Sequence, residues 1–219
     1  MIASSAPFVS GIVISGGEPT LQRDAVIALA RYARTLDMKV AIQTNGLFPD
    51  TLDSLIQERL VDRIAIDYKT RWEGFSGIQG GYRTLPVANY EKNLKQSIGI
   101  CKKASRDDIL SELEIVITAF YENADYIGKI SSEIGTTPLV LQQGEHKIIR
   151  MRETAPDMTN GEYICKQRNL QENHPPLTLA ELKTIADDLG RTVRIRTREI
   201  GEISYESDWR RRDARKRKR

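Results

Sequence analysis

The chain has 219 residues, 40% hydrophobic and 29% charged, with two cysteines and a formal net charge of +3. That length fills one good-sized domain without staples, and Cys101 and Cys165 stand far apart in no metal-ligand spacing, so neither a disulfide framework nor a metal knuckle is indicated. No apolar run approaches the ~18 residues of a membrane span, and the opening MIASSAPFVSG lacks the basic start and apolar centre of a secretory leader. The expectation is a cytoplasmic protein with no membrane contact. The positive charge is local: Arg210 to Arg219 carry eight bases and one acid, which leaves a body of −4.

Along the chain, short β-rich runs alternate with stretches of helical period, the pattern of βα units around a parallel sheet. Strands are predicted at 12–15, 39–44, 63–68, 112–119, 137–142 and 192–197. Between the first two, Val26, Leu29, Ala30 and Ala33 make one apolar helical stripe, with Thr20 as the expected cap. Leu52, Leu55 and Ile56 follow an expected Asp50 cap. Tyr90, Leu94, Ile98 and Cys101 mark a third helix, and Tyr126, Ile127, Ile130 and Ile134 a fourth. Thr178 and Glu181 have capping-box spacing, and Gly190 is placed to end the last helix. Two segments break the rhythm. Residues 71–87, with four glycines and a proline, read as a loop, and 143–177 as a long polar insertion. The organisation expected is a barrel domain over 1–200 and a basic, disordered tail over 201–219.

Ligands of parallel βα folds meet the protein at the C-terminal ends of the strands. Those ends read Ser15-Gly16-Gly17-Glu18-Pro19-Thr20, Gln43-Thr44-Asn45-Gly46, Asp67-Tyr68-Lys69 and Gln142-Gln143. Consecutive glycines remove bulk and permit positive φ, so a ligand can approach the main chain, and Glu18 adds an acceptor suited to an ammonium group. The same residues equally describe a tight turn with a solvated glutamate. Asp67 and Lys69 share one face of a strand, either as an ion pair or as contacts to a zwitterionic or ribose-bearing ligand. Asn45-Gly46 is also a common turn dipeptide.

Taken together, SGGEPTLQ, QTNG, IDYK and VLQQ in this order and spacing resemble the radical S-adenosylmethionine (SAM) family. The resemblance is greatest to the activating enzymes of anaerobic ribonucleotide reductase and pyruvate formate-lyase. It covers residues 8–142 well and extends weakly to about 200. It implies an α/β fold, a partial (β/α) barrel of the radical SAM type lacking the first βα unit. It also implies that SAM is a cofactor beside a [4Fe–4S] cluster, and that SAM is cleaved reductively to a 5′-deoxyadenosyl radical. The implied partners are a glycyl-radical enzyme or anaerobic ribonucleotide reductase, with a reductant such as flavodoxin or ferredoxin. By the same resemblance Gly16, Gly17 and Glu18 meet the methionyl ammonium, with Pro19 stiffening the turn. Thr44 and Asn45 line the pocket, Asp67 and Lys69 contact ribose or carboxylate, and Gln142 lies on the adenine side.

Two departures stand out. The family's CxxxCxxC loop precedes the GGEP strand, and no such triad occurs in this sequence. Cys101 lies on an apolar stripe, as a core residue would, while Cys165, His146 and His174 stand singly in loops. In the fourth strand, relatives often show Arg-Thr-Thr where this chain has Glu114-Ile115-Val116, so no SAM contact is carried over there. Two other readings compete: a non-catalytic SAM-binding or partner-binding remnant, and a nucleic-acid-associated protein acting through its basic tail. A terminal charge block without a recognition module is ordinarily just solvated, so nucleic acid is not an expected partner. Three thiolates are needed for a SAM-ligated [4Fe–4S] cluster. The purified chain, reconstituted anaerobically with iron and sulfide, is therefore expected not to retain a stoichiometric cluster. A brown protein holding about four irons per chain after desalting would contradict this.

Overall fold

The computed structural model describes residues 8–68, 87–120, 124–145 and 175–207. In chain order the elements are β1 (Gly11–Ile14), a 3-10 turn (Pro19–Leu21), α1 (Arg23–Thr35), β2 (Lys39–Thr44), α2 (Pro49–Gln57), β3 (Arg63–Asp67) and α3 (Val87–Arg106). They continue with β4 (Glu112–Ala119), α4 (Ala124–Ile134), β5 (Leu139–Gln143), α5 (Leu179–Leu189), β6 (Val193–Thr197) and β7 (Gly201–Tyr205). The strands follow chain order in an open sheet. β1 to β4 are parallel neighbours, β5 and β6 are parallel, and β7 runs antiparallel to β6. This is the α/β architecture of parallel strands and helical crossovers that the sequence implies. The chain divides into two compact units. Of the described residues, the first comprises 8–68, 87–116 and 136–138, and the second 117–120, 124–135, 139–145 and 175–207.

In the first unit β3 is buried at Ile64, Ala65 and Ile66, the near-continuous apolar run expected of a parallel strand covered on both faces. Val40 and Ile42 of β2 and Leu113 and Ile115 of β4 extend that layer. Helices close over it with Val26, Ile27, Ala30 and Ala33 from α1, Leu52, Leu55 and Ile56 from α2, and Tyr90, Leu94 and Cys101 from α3. Two caps differ from expectation. Thr20 lies in the 3-10 turn begun by Pro19, and α1 starts after Gln22 without a side-chain cap, because the Thr20 hydroxyl is spent on Glu18. Asp50 sits in the first turn of α2, where its charge favours the helix N-terminus, and Phe48 takes the cap position.

In the second unit Leu139, Val140 and Leu141 of β5, Val193 and Ile195 of β6, and Leu182 and Ala186 of α5 form the core. The capping box of α5 is present in both directions, and Gly190 ends the helix in the left-handed region at φ 65°. Tyr126, expected on the buried stripe of α4, is 37% exposed, while Ile127, Ile130 and Ile134 are buried. β7 was not expected. It occupies the opening of the supposed tail, where Glu202 pairs with Arg194 and Arg196 across the hairpin and the Tyr205 hydroxyl donates to Asp187. The 71–86 part of the glycine-rich loop, most of the insertion (146–174) and the tail from 208 lie outside the described residues. So do Lys69, His146, Cys165 and His174.

One carboxylate ties the N-terminal end of the first unit's strands. Asp62, just before β3, accepts from the Val40 amide at 2.8 Å and the Lys39 ammonium at 3.1 Å, with Arg34 at 2.9 Å. Burial alone raises its pKa, but these hydrogen bonds and the Arg34 charge outweigh it and hold the group below the ordinary aspartate value. A depressed folded pKa gives stability that is fully present above the unfolded value of ~3.9 and is lost as pH falls through the lower folded value. Asp62→Asn is expected to cost about 2 kcal/mol in urea unfolding at pH 7, with the difference from wild type shrinking as the buffer is taken below the aspartate range. A difference that stays constant down to acid pH would refute the assignment.

Candidate functional site

The parallel register of β1, β2 and β3 brings their C-terminal ends to one rim, with Ile14 opposite Ile42 and Thr44 opposite Ile66. Gly16 and Gly17 follow β1 at φ 88° and 55°, both in the left-handed region, and both are exposed. A methyl group built on either would meet nothing within 4 Å. Their backbone thus faces open space, the condition for a ligand to reach the main chain.

Glu18 turns inward from this open pair and is 6% exposed. Its Oε1 accepts from the Thr20 amide at 3.0 Å, from the Thr20 hydroxyl, and from the Thr44 hydroxyl at 2.7 Å. Its Oε2 accepts from the Asn45 amide at 2.7 Å. The carboxylate therefore staples the loop after β1 to the loop after β2, a task the sequence reading did not assign to it. Every one of these donors is neutral, and among the described residues no cation pairs with Glu18. Pro19 is buried and starts the 3-10 turn, whose N-cap is Glu18 itself.

Thr44, the last residue of β2, is 3% exposed, and Asn45 is half-buried with its Oδ1 accepting from the Leu47 amide at 3.0 Å. Gly46, at φ 73°, has no room for a side chain: a methyl group there would come within 2.7 Å of Leu94 Cδ1 and 3.1 Å of Ile66 Cγ2. Behind this loop stands α3. The Ser97 hydroxyl donates to the Gly46 carbonyl at 2.6 Å, and the Asn93 amide donates to the Leu47 carbonyl at 3.0 Å. Sequence reasoning missed both residues, and the one signal available was polar residues one turn apart around the buried Leu94. Asp67 ends β3, half-buried and opposite Val116 of β4. Gln142 belongs to the second unit, where its Oε1 accepts from Arg196 at 3.2 Å beside a cavity of about 410 Å³ lined by Thr118, Phe120, Arg196 and Thr197.

Among the described residues the one cysteine is Cys101, fully buried in α3, and burial pushes its thiol up to about 12. A thiol kept protonated in an apolar core does not fit a cluster ligand. The described residues also hold no group of three or more His, Cys, Asp or Glu side chains placed to bind a metal ion. None of their helices is long and apolar enough to cross a membrane.

The glycines separate open backbone from packed backbone. Gly17→Ala is expected to cost about 1 kcal/mol, from the left-handed conformation alone. Gly46→Ala adds a clash with Leu94 to the same strain and is expected to cost about 3 kcal/mol. Urea unfolding of the two variants measures the difference, and equal losses would contradict it.

A model of the radical SAM superfamily matches residues 2–134. A Methanocaldococcus jannaschii protein whose name assigns it to the glycyl-radical enzyme activating enzymes is 52% identical over 68 residues. That match covers 31% of this chain and 28% of the relative, so the chain spans under a third of that protein's length in the matched region. A domain of pyruvate-formate lyase-activating enzyme from Bacteroides vulgatus aligns at a TM-score of 0.44 and 17% identity, covering 73% of this chain and 95% of that one. With the family model spanning more than half of its length, the chain belongs to the radical SAM superfamily.

Proposed function

We propose that the rim after β1, β2 and β3 holds the methionyl and ribose groups of SAM, and that the chain is the SAM-holding part of an activating enzyme. Its target in this reading is a glycyl-radical enzyme or an anaerobic ribonucleotide reductase, and its reductant a flavodoxin or ferredoxin. The observation that carries the reading is the Glu18 carboxylate, nearly buried and, among the described residues, met by neutral donors alone. Burying a charge without a counter-charge is costly, and a ligand ammonium arriving over the open Gly16-Gly17 backbone supplies the missing cation.

In this arrangement the main chain at Gly16 and Gly17 and Glu18 Oε2 receive the ammonium, while Thr44 and Asn45 border it at the end of β2. Asp67 is suited to accept from a ribose hydroxyl. Lys69, outside the described residues, is assigned to the carboxylate on the family pattern. The family's [4Fe–4S] cluster would supply the electron for SAM cleavage, and the described residues provide no ligands for it. The work assigned to this chain is to bind and orient SAM. The M. jannaschii relative's name supports the activating-enzyme reading over a generic SAM-binding role.

SAM bound through these contacts alone is expected to have a Kd around ~1 mM, equivalent to about 4 kcal/mol. Glu18→Gln and Asp67→Asn should each weaken it about fivefold or more, since each exchanges a carboxylate oxygen that accepts from a ligand group for an amide nitrogen that cannot. Cys101→Ala, remote from the rim, should lower stability and leave affinity unchanged. Calorimetric titration measures all four proteins, and unchanged SAM binding in both carboxylate variants would sink the assignment.

A further inference from the structure

We propose that Ser97, assisted by Asn93, is a positioning residue that sets the Glu18–Thr44–Asn45 cluster from behind. For ligand binding this rests on the SAM reading above. The geometry is a relay of three hydrogen bonds. The Ser97 hydroxyl, fully buried, donates to the Gly46 carbonyl at 2.6 Å. The Gly46 amide donates to Thr44 Oγ1 at 3.0 Å, and the Thr44 hydroxyl donates to Glu18 Oε1 at 2.7 Å. A hydroxyl carries a single proton. With the Gly46 amide aimed at its lone pair, Thr44 is oriented to deliver that proton to the carboxylate.

Gly46 is the pivot. Its positive φ turns its carbonyl toward α3 and its amide toward Thr44, and its lack of a side chain lets Leu94 pack against the backbone. Asn93 lies one turn before Ser97 on the same face of α3 and holds the next carbonyl, that of Leu47. Two consecutive carbonyls of the loop are thus held by one helix face, and the amide just before them, Asn45, binds Glu18 Oε2. Removing the Ser97 hydroxyl leaves the Gly46 carbonyl without this donor and frees the 46–47 peptide, and through rotation at the Gly46 Cα it loosens the adjoining 45–46 peptide whose amide orients Thr44. The effect reaches Glu18 without any contact between Ser97 and a ligand.

A role in general packing predicts uniform loosening, and a positioning role predicts a local one. Amide hydrogen exchange on the ligand-free chain separates them. In Ser97→Ala, exchange at Asn45 and Gly46 is expected to accelerate about tenfold while Ile42, in the middle of β2, changes less than about twofold. Cys101→Ala, one turn further along α3, is the control and should accelerate all three alike. Asn93→Ala, at a half-buried site, should give the local pattern more weakly and serves if Ser97→Ala does not fold. Titration with SAM and with methylthioadenosine, which lacks the ammonium, gives a second readout. Ser97→Ala should weaken SAM about fivefold and leave methylthioadenosine within about twofold. Unchanged exchange at Asn45 and Gly46, acceleration shared equally with Ile42, or equal weakening of both ligands would overturn the proposal. A wild-type chain that binds no SAM while the exchange pattern appears as described would instead sink the SAM reading and uphold the clamp.

Discussion

A carboxylate placed out of water and met, among the described residues, by dipoles alone is the constraint on which the first unit's rim depends. Glu18 is held in a nearly buried position by four hydrogen bonds, two from Thr20 after β1 and two from Thr44 and Asn45 at the end of β2. Losing one of these bonds leaves a buried polar oxygen without its donor, at the full cost of its desolvation. The loops are therefore held to each other more firmly than their own turn propensities require. The glycine pair beside them stays open because the anchoring is done by the next residue, so the exposed backbone at 16–17 has no packing duty.

The sheet makes this arrangement possible. Parallel strands joined by helical crossovers deliver every strand-to-helix loop to the same edge, so residues 18 and 44, separated by a full βα unit, meet across one strand spacing. The opposite edge carries structural chemistry, with Asp62 gathering Arg34, Lys39 and the Val40 amide, and Arg63 pairing with the buried Glu114. Stabilising ion pairs and the proposed ligand rim thus sit at opposite ends of the same strands.

Much of this was legible in the sequence for identifiable reasons. Runs such as KVAIQT and RIAID are short, β-branched and bounded by turn residues, so β2 and β3 stand where expected, and the α5 capping box is specific enough to be read directly. The placement of Gly16, Gly17, Glu18, Thr44, Asn45 and Asp67 at strand ends followed from the same period. The burial of Glu18 was not legible, since it depends on Thr44 and Asn45, 26 and 27 residues away. Ser97 was hidden more deeply, 51 residues from the carbonyl it holds. Thr20 was misread as a cap because a hydroxyl ahead of a helix has that meaning locally, and only the tertiary contact reveals its other use. β7 escaped notice because GEISY, polar at alternate positions and followed by charge, looks like the start of a tail until β6 is seen to pair with it.

The contact between Gly46 and Leu94 has a consequence for how this protein drifts over evolutionary time. The missing methyl at 46, the leucine branch at 94 and the hydroxyl at 97 share one small volume, and none can grow without another shrinking. Positions that look independent along the chain are therefore inherited as a set. Among descendants of this sequence, change at 94 or 97 should be found only with compensating change in its two companions, while the exposed glycine pair at 16–17 answers to backbone conformation alone.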